Sequence, residues 1–211
     1  MRNCVIYVLA FLILLTGCKG SDTRAISKQT PVANQSEETE LSEDIKQILK
    51  RKIDVIKSEI QQDIVLEAVR ESNSSHKNTQ PSEIQALDAE WRNTEGPAGM
   101  ISEFLTNPCA IHLQEIQKRE QGFSEIFVTN KYGLNVCQTN KTSDFYQADE
   151  DWWLEGFATG KGREFFGVIE YDDSAHSEAI SIYVPVMNLT SGHAIGVTKA
   201  VVALDQIKAE L

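Results

Sequence analysis

The sequence has few basic residues for its length, and this shortage excludes whole classes of function. Its 211 residues include 20 Lys and Arg against 31 Asp and Glu, so the formal net charge is -11 at pH 7. Binding to nucleic acid, or to anionic lipid by charge alone, needs a basic footprint. We therefore expect no nucleic-acid partner. The hydrophobic content of 41% excludes wholesale disorder.

Catalytic and metal-binding motifs are missing as well. The four histidines are far apart in the sequence, and no two of them form a metal-binding pair at helical spacing. No serine lies in a G-x-S-x-G turn. Gly160-Lys161-Gly162 is not a phosphate-binding loop, because no Ser or Thr follows the lysine. The sequence therefore predicts a protein that is not an enzyme, with no catalytic residue, no metal and no cofactor.

Long apolar runs are absent except for one near the start. Residues 5–15 form a run of about 11 apolar residues after the basic Arg2, which is short for a membrane span and typical of a signal-peptide core. The run ends in L-T-G-C at residues 15–18, which resembles the lipobox of bacterial lipoproteins. We expect residues 1–17 to be a lipoprotein signal peptide and Cys18 to carry the lipid. A plain secretory signal is the alternative.

A lipid on Cys18 would anchor the protein to a membrane of the bacterial cell envelope, facing the periplasm. In Gram-negative sorting, an Asp after the lipidated cysteine favours retention at the inner membrane. Lys19 stands there instead, which favours the outer membrane. Residues 18–40 are polar and lack apolar periodicity, and we interpret them as a flexible tether.

Cysteine is scarce, and only Cys109 and Cys137 lie beyond the predicted lipidation site. Both would be exported to an oxidising compartment. A disulfide between them would close a loop of about 29 residues. Two separate buried thiols are an equal alternative, and the sequence does not decide between them.

Along the rest of the chain, the spacing of the apolar residues changes from a helical pattern to a strand pattern. Apolar residues recur at three- and four-residue spacing over 41–71, which predicts a long helix that packs on its own domain or forms a coiled-coil homodimer. After Gly122 the spacing changes to alternation, with a helical stretch inside 142–162. This order predicts an α+β domain with a mostly antiparallel sheet packed against helices. The predicted strands are 123–130, 134–140, 163–173, 178–188 and 193–204.

Four segments together resemble one family. They are EIFVTNKYGLNVCQT at 125–139, TSDFYQADEDWW at 142–153, YVPV at 183–186 and GHAIGV at 192–197. In this order they resemble the single Cache extracellular sensor domain, which is PDC-type and PAS-like. The long helix matches the N-terminal helix of such domains.

The resemblance implies a fold, a pocket and a class of function. The fold is a PAS-like five-stranded antiparallel sheet flanked by helices over 41–211, with a small-molecule pocket on one face. Members of this family sense amino acids, organic acids, amines or purines outside the cell, between two membrane spans of a chemoreceptor or kinase. With a lipid anchor and no cytoplasmic module, we expect this protein to pass its signal to a separate membrane sensor or receptor.

The segment 142–160 carries acidic and aromatic residues and no Lys or Arg. Aromatic rings and carboxylates together favour a cationic ligand. The amino-acid-binding pattern of the family is broken, because Asp151 stands where those members have an Arg. An amine or another small metabolite is therefore the expected ligand. The candidate ligand-binding residues, which include three on the strands bordering the pocket, are Tyr146, Asp149, Asp151, Trp152, Trp153, Tyr171, Asp172 and Tyr183.

Each candidate also has a structural interpretation. Adjacent tryptophans on a helix point about 100° apart, so one of Trp152 and Trp153 belongs to the core. The acids at 149–151 suit a solvated first helical turn. Two functions therefore stay open at this point. One is a non-enzymatic sensing module for a small ligand, and the other is a structural or protein-interaction lipoprotein that keeps the fold without a pocket.

Overall fold

The computed structural model describes residues 41–172 and 177–211. These residues belong to one compact unit. The predicted signal peptide over 1–17, the lipidation site Cys18 and the tether over 18–40 lie outside the described residues. Within the described ranges, no helix is both long enough and apolar enough to cross a membrane.

Two helices stand where the sequence predicts one over 41–71. Helix α1 spans Glu43–Ile60 and helix α2 spans Asp63–Ser75. Between them the backbone of Gln62 is extended, with φ of -70° and ψ of 145°, and Gln62 is the N-cap of α2. Apolar residues keep their helical spacing across this break, so periodicity alone does not reveal it. The long N-terminal segment is helical as predicted, but it is interrupted once.

The apolar stripe of α1 faces its own domain. Ser42 caps the helix by accepting a hydrogen bond from the backbone N of Ile45 at 3.4 Å. The helix then lies against the sheet. This favours the first of the two interpretations of the stripe, since a coiled-coil partner would need the same face. The buried residues of α1 are Ile48, Leu49, Ile53, Ile56 and Ile60.

Three further helices precede the sheet: α3 at Pro81–Asn93, α4 at Met100–Thr106 and α5 at Pro108–Arg119. Proline at the first helical position suits α3 and α5, because its missing N–H would have no partner there. At the start of α3, the Glu83 carboxylate accepts a hydrogen bond from the Gln80 backbone N at 2.9 Å. Gln80 is therefore the N-cap residue of α3.

The sheet has five strands, and each pairs with its neighbours antiparallel. In space the strand order is β2-β1-β5-β4-β3. The predicted α+β fold with a five-stranded antiparallel sheet flanked by helices is therefore confirmed. Helix α6 at Asp151–Phe157 precedes β3, and α7 at Leu204–Ala209 follows β5. The strands are β1 at Phe123–Asn130, β2 at Asn135–Gln138, β3 at Phe165–Asp172, β4 at Ser177–Asn188 and β5 at His193–Ala203.

The two faces of the sheet differ in what covers them. Side chains alternate between the faces along each strand. Helices α1, α2 and α5 bury one face, which we call the helix face. The opposite face contacts α6, and we call it the α6 face. The sheet residues buried on the helix face are Phe123, Ile126, Val128, Val136, Cys137, Ile180, Ile182, Val184, Val186, Ala200 and Val202.

A disulfide joins α5 to the edge strand β2. Cys109 and Cys137 are bonded, with their Cα atoms 5.7 Å apart. Next to the bond, Asn107 caps α5 by accepting from the Ala110 N at 2.8 Å and donates to the Val136 carbonyl at 3.0 Å. The structure thus favours the bonded alternative over two separate thiols, and a covalent bond and a hydrogen bond fix this helix to the sheet.

A second, smaller core holds the segment that leads to α6. It is built around Trp91, Ile101, Leu134 and Phe145. The Trp91 indole Nε1 donates to the Thr142 carbonyl at 2.9 Å. The buried carboxylate of Asp88 accepts from the backbone N of Phe145 at 2.8 Å. These contacts fix the path of the chain between β2 and α6.

Candidate ligand-binding site

One row of side chains crosses the whole sheet on the α6 face. Strand register places Gln138 opposite Phe127, Phe127 opposite Lys199, Lys199 opposite Tyr183, and Tyr183 opposite Phe165. Directly opposed residues share a face of the sheet. The neighbours Ile126, Phe166 and Ala200 lie on or against the helix face, so this row lies on the other. We call these five residues the transverse row.

Trp152 lies over the middle of the transverse row. Its ring stacks on Tyr183, with 5.3 Å between centroids and 16° between planes. It meets the ring of Phe127 edge-on at 5.8 Å, and the Lys199 Nζ lies 5.5 Å from its centroid. The ring of Phe165 packs on Tyr183 at 4.6 Å. The site is therefore an aromatic surface with one lysine ammonium inside it.

Trp153 has a different role, as the adjacency of the two tryptophans predicts. Its side chain is buried, and its indole Nε1 donates to the Thr129 Oγ1 at 2.8 Å. Thr129 in turn donates to the Val197 carbonyl at 2.9 Å. A side chain at Gly156 would approach the Val197 Cγ1 to 3.0 Å, so the helix needs glycine at its closest contact with the sheet. Trp153 thus anchors α6, while Trp152 is half-buried and faces the row.

Glu150, the N-cap residue of α6, is exposed like Asp149 and Asp151, but its carboxylate interacts electrostatically with residues of the row. Partial burial is the main cause that raises its pKa, and the negative charges of Asp144 and Asp149 act in the same direction. The Lys199 ammonium acts in the opposite direction. The charge of Glu150 also contributes to the raised pKa of Tyr183. Glu150 therefore lies within electrostatic reach of both residues.

Tyr183 is a neutral hydrogen-bonding group at ordinary pH. Burial raises the pKa of its phenol to about 12, although a hydrogen bond with Ser181 acts in the opposite direction. Gly167 lies beside the ring, because a Cβ at that position would be 3.7 Å from the Tyr183 hydroxyl oxygen.

The other candidates from the sequence lie away from the transverse row. Tyr146 packs against the second core, and its backbone N donates to the Asp88 Oδ1 at 3.1 Å. The side chains of Asp149 and Asp151 are exposed. Tyr171 is 63% exposed and lies about 20 Å along β3 from the row at 3.3 Å per residue.

Asp172 ends β3 one residue beyond Tyr171, about 23 Å along the strand from the row. Of the predicted ligand-binding residues, the structure therefore brings Trp152 and Tyr183 together and places Trp153 behind them as an anchor. The row members and the carboxylate that the sequence did not single out are Phe127, Gln138, Glu150, Phe165 and Lys199.

A signal for one of the missed residues was present in the sequence. Alternation along β5 places Val197, Lys199 and Val201 on one face. A lysine between two apolar residues on a strand face covered by a helix is unusual and marks a polar site. Gln138 gave no such signal, because its place in the row depends on the register between β2 and β1.

Two clefts lie elsewhere on the molecule, and none of the predicted residues lines them. One of about 410 Å³ opens between α2 and α4, beside Phe104 and Cys109. The other, of about 320 Å³, lies near Gln61, Pro185 and Leu189. In the part of the chain that the structure describes, no group of three or more His, Cys, Asp or Glu side chains could hold a metal ion.

The five-stranded antiparallel sheet flanked by helices is the fold that the resemblance to single Cache domains predicts. Solved structures similar to this chain include the sensor domain of the Vibrio cholerae histidine kinase DctB, with 13% identity and a TM-score of 0.42. Another is the sensory domain of the Campylobacter jejuni chemoreceptor Tlp3 with isoleucine bound, with 15% identity and a TM-score of 0.40. A third is the ligand-binding domain of the Pseudomonas fluorescens chemoreceptor CtaA with L-valine, with 14% identity and a TM-score of 0.40.

The likeness covers only part of these structures. It includes 78%, 79% and 78% of this chain, but 54%, 63% and 57% of the DctB, Tlp3 and CtaA chains. This chain thus spans between about half and two thirds of their length. No family model and no curated protein matches the sequence. The function of the chain must therefore be inferred from its own residues.

Proposed function

We propose that this protein is a non-enzymatic module that binds a small extracytoplasmic molecule on the α6 face and is held at the membrane by a lipid on Cys18. The observation that carries the proposal is the stack of Trp152 on Tyr183 over the transverse row. Aromatic surfaces of this kind contribute binding energy through buried area and ring geometry. The half-buried Trp152 is the natural contact for a ligand that enters from the side of α6.

The charges near the site argue against a simple amine as the ligand. The ammonium of Lys199 already lies beside the Trp152 ring, where a cationic ligand would otherwise gain a cation–π contact. Lys199 instead favours a ligand with a carboxylate, while Glu150 favours an ammonium. We therefore propose that the ligand is a small zwitterion, with its carboxylate at Lys199 and its ammonium at Glu150.

Hydrogen bonds connect the site to the N-terminal helices and support a route for a signal. Trp153 is bonded to Thr129 in β1. The next residue, Asn130, donates to the Ser72 hydroxyl of α2 at 3.0 Å, and Asn73 accepts from the backbone N of Lys131 at 3.0 Å. A shift of α6 on ligand binding would therefore reach α2. We propose that a separate membrane sensor or receptor reads this change.

A matched set of compounds tests the ligand class. Purified 41–211 is heated with 2-aminobutyrate, with propylamine, which lacks its carboxylate, or with butyrate, which lacks its ammonium. We expect the zwitterion to raise the melting temperature at millimolar concentration and the two fragments to raise it far less. Lys199→Met and Glu150→Gln should each remove most of this increase, whereas Lys131→Met and Asp151→Asn, on exposed residues, should not.

The alternative is a structural or protein-interaction lipoprotein without a functional pocket. The exposed apolar residues of the edge strand β3 favour it, since Val168 is 54% and Tyr171 63% exposed. If none of the three compounds raises the melting temperature, and a broad panel of amines and carboxylic acids also fails, the binding proposal is contradicted. Retention of a membrane partner by the wild type but not by Val168→Lys would then support the alternative.

A further inference from the structure

Gln138 is the member of the transverse row whose side chain has the least evident structural purpose. It ends β2, its side chain is fully buried, and both its Oε1 and its Nε2 lack a hydrogen-bond partner among the described residues. A buried amide without hydrogen-bond partners destabilises the folded state. A residue that destabilises the fold in this way needs a reason to be there.

Nearby amides behave differently. In the same strand, the Asn135 Nδ2 donates to the Thr142 Oγ1 at 2.8 Å and to the Asp144 carbonyl at 3.0 Å. Gln147 is also buried, and its Nε2 donates to the Asp144 carbonyl at 3.0 Å. Among the described residues the Oδ1 of Asn135 also lacks a partner, but Gln138 is the buried amide that is unpaired at both ends.

The transverse row shows what the Gln138 amide faces. Phe127 lies opposite it on β1, and Lys199 lies opposite Phe127 on β5. Two strand spacings separate Gln138 from Lys199, which is about 10 Å between backbones. A molecule lying along the row would therefore meet a cation, an apolar ring and a neutral amide in that order.

We infer that Gln138 is a specificity-determining residue of this site and that it pairs with a neutral group of the ligand that both donates and accepts a hydrogen bond, such as a carboxamide. The inference rests on the proposed function, because the charged groups of the ligand are taken to bind at Lys199 and Glu150. A glutamine amide offers one acceptor and two donor hydrogens, so a carboxamide matches it with two hydrogen bonds. A carboxylate would leave the Oε1 of Gln138 without a donor, and an alkyl group would leave both ends unpaired.

Three zwitterions that differ only at the end of the side chain test this inference. L-Glutamine carries a carboxamide there, L-glutamate a carboxylate, and L-homoleucine an isopropyl group with the same number of non-hydrogen atoms. Calorimetric titration of purified 41–211 should give an affinity for L-glutamine about tenfold above that for L-homoleucine. In Gln138→Leu this preference should vanish or reverse.

The unliganded protein supplies an independent readout. Because Gln138→Leu removes an unsatisfied buried amide, its melting temperature should be equal to or above that of the wild type. Gln147→Leu is the matched control, since it breaks hydrogen bonds that exist and should lower the melting temperature. If Gln138→Leu lowered the melting temperature as much as Gln147→Leu does, the amide of Gln138 would have a structural partner. This result would overturn the inference.

The possible failures can be told apart. If the wild type binds these zwitterions but Gln138→Leu keeps the same preference among them, the role of Gln138 is contradicted and the proposed function stands. If the wild type binds none of the three, the zwitterion proposal itself fails, and the inference about Gln138 falls with it.

Discussion

At the scale of single residues, neighbouring positions in the sequence have opposite roles. Trp152 lies over the transverse row, and Trp153 is 5% exposed and bonded to Thr129. Helix geometry predicts that the two side chains diverge. It does not predict which one faces the site, because that depends on how α6 docks on β1 and β5. The same limit applies to the acids: the sequence marked Asp149 and Asp151, whereas Glu150, between them, is the acid whose pKa is raised mainly by burial and which the Lys199 ammonium influences.

The phenol of Tyr183 should ionise only at high pH. Its pKa is raised to about 12, above the unperturbed value of about 10. Because the folded-state pKa is the higher one, the stabilisation is complete below about pH 10 and is lost as the pH rises from about 10 to about 12, on the order of 3 kcal/mol in total. Ultraviolet absorbance of the phenolate should show a late ionisation that Tyr183→Phe removes. Its persistence in that variant would contradict the assignment.

At the scale of secondary structure, period-2 alternation in the sequence predicted all five strands. It did not predict the transverse row, which depends on register across four strand pairs. Irregularities between Val128 and Thr129 and between Phe166 and Ile169 shift that register. A shift of one residue would move a side chain to the other face of the sheet. Likewise, the break at Gln62 leaves the apolar period of the N-terminal helices intact.

The disulfide between α5 and β2 should contribute measurably to stability. Cross-linking residues separated by 28 positions restricts the unfolded chain and is worth about 2–4 kcal/mol. The double variant Cys109→Ala, Cys137→Ala should therefore unfold at a lower urea concentration. Wild-type protein treated with a reductant should approach the same midpoint. Free thiols in the untreated wild type would contradict the bond.

At the scale of the whole molecule, the excess of acidic residues does not describe the local charges of the candidate site. The net charge of -11 predicts that nucleic acid is not a partner and suggests a cationic ligand. The α6 face, however, combines Glu150 with Lys199, so the local charges differ from the average. The fold class could be predicted because the order of helices and strands is a property of the sequence pattern. The polarity of the site could not, because distant residues supply it.

Attachment of lipid to Cys18 is a prediction at this scale. When the full sequence is expressed in a Gram-negative bacterium with a labelled fatty acid, the protein should incorporate the label and sediment with membranes. Cys18→Ser should lose the label and stay as uncleaved precursor, while Cys109→Ala should keep it. Equal labelling of wild type and Cys18→Ser would contradict the lipobox interpretation.

The most direct test of the central claim is the fluorescence of Trp152 during titration with 2-aminobutyrate. The protein has three tryptophans, so the signal is assigned by comparing Trp152→Phe with Trp153→Phe. We predict a saturable change in the wild type and in Trp153→Phe, and none in Trp152→Phe. A saturable change of unaltered size in Trp152→Phe, or none in the wild type, would contradict binding on the α6 face.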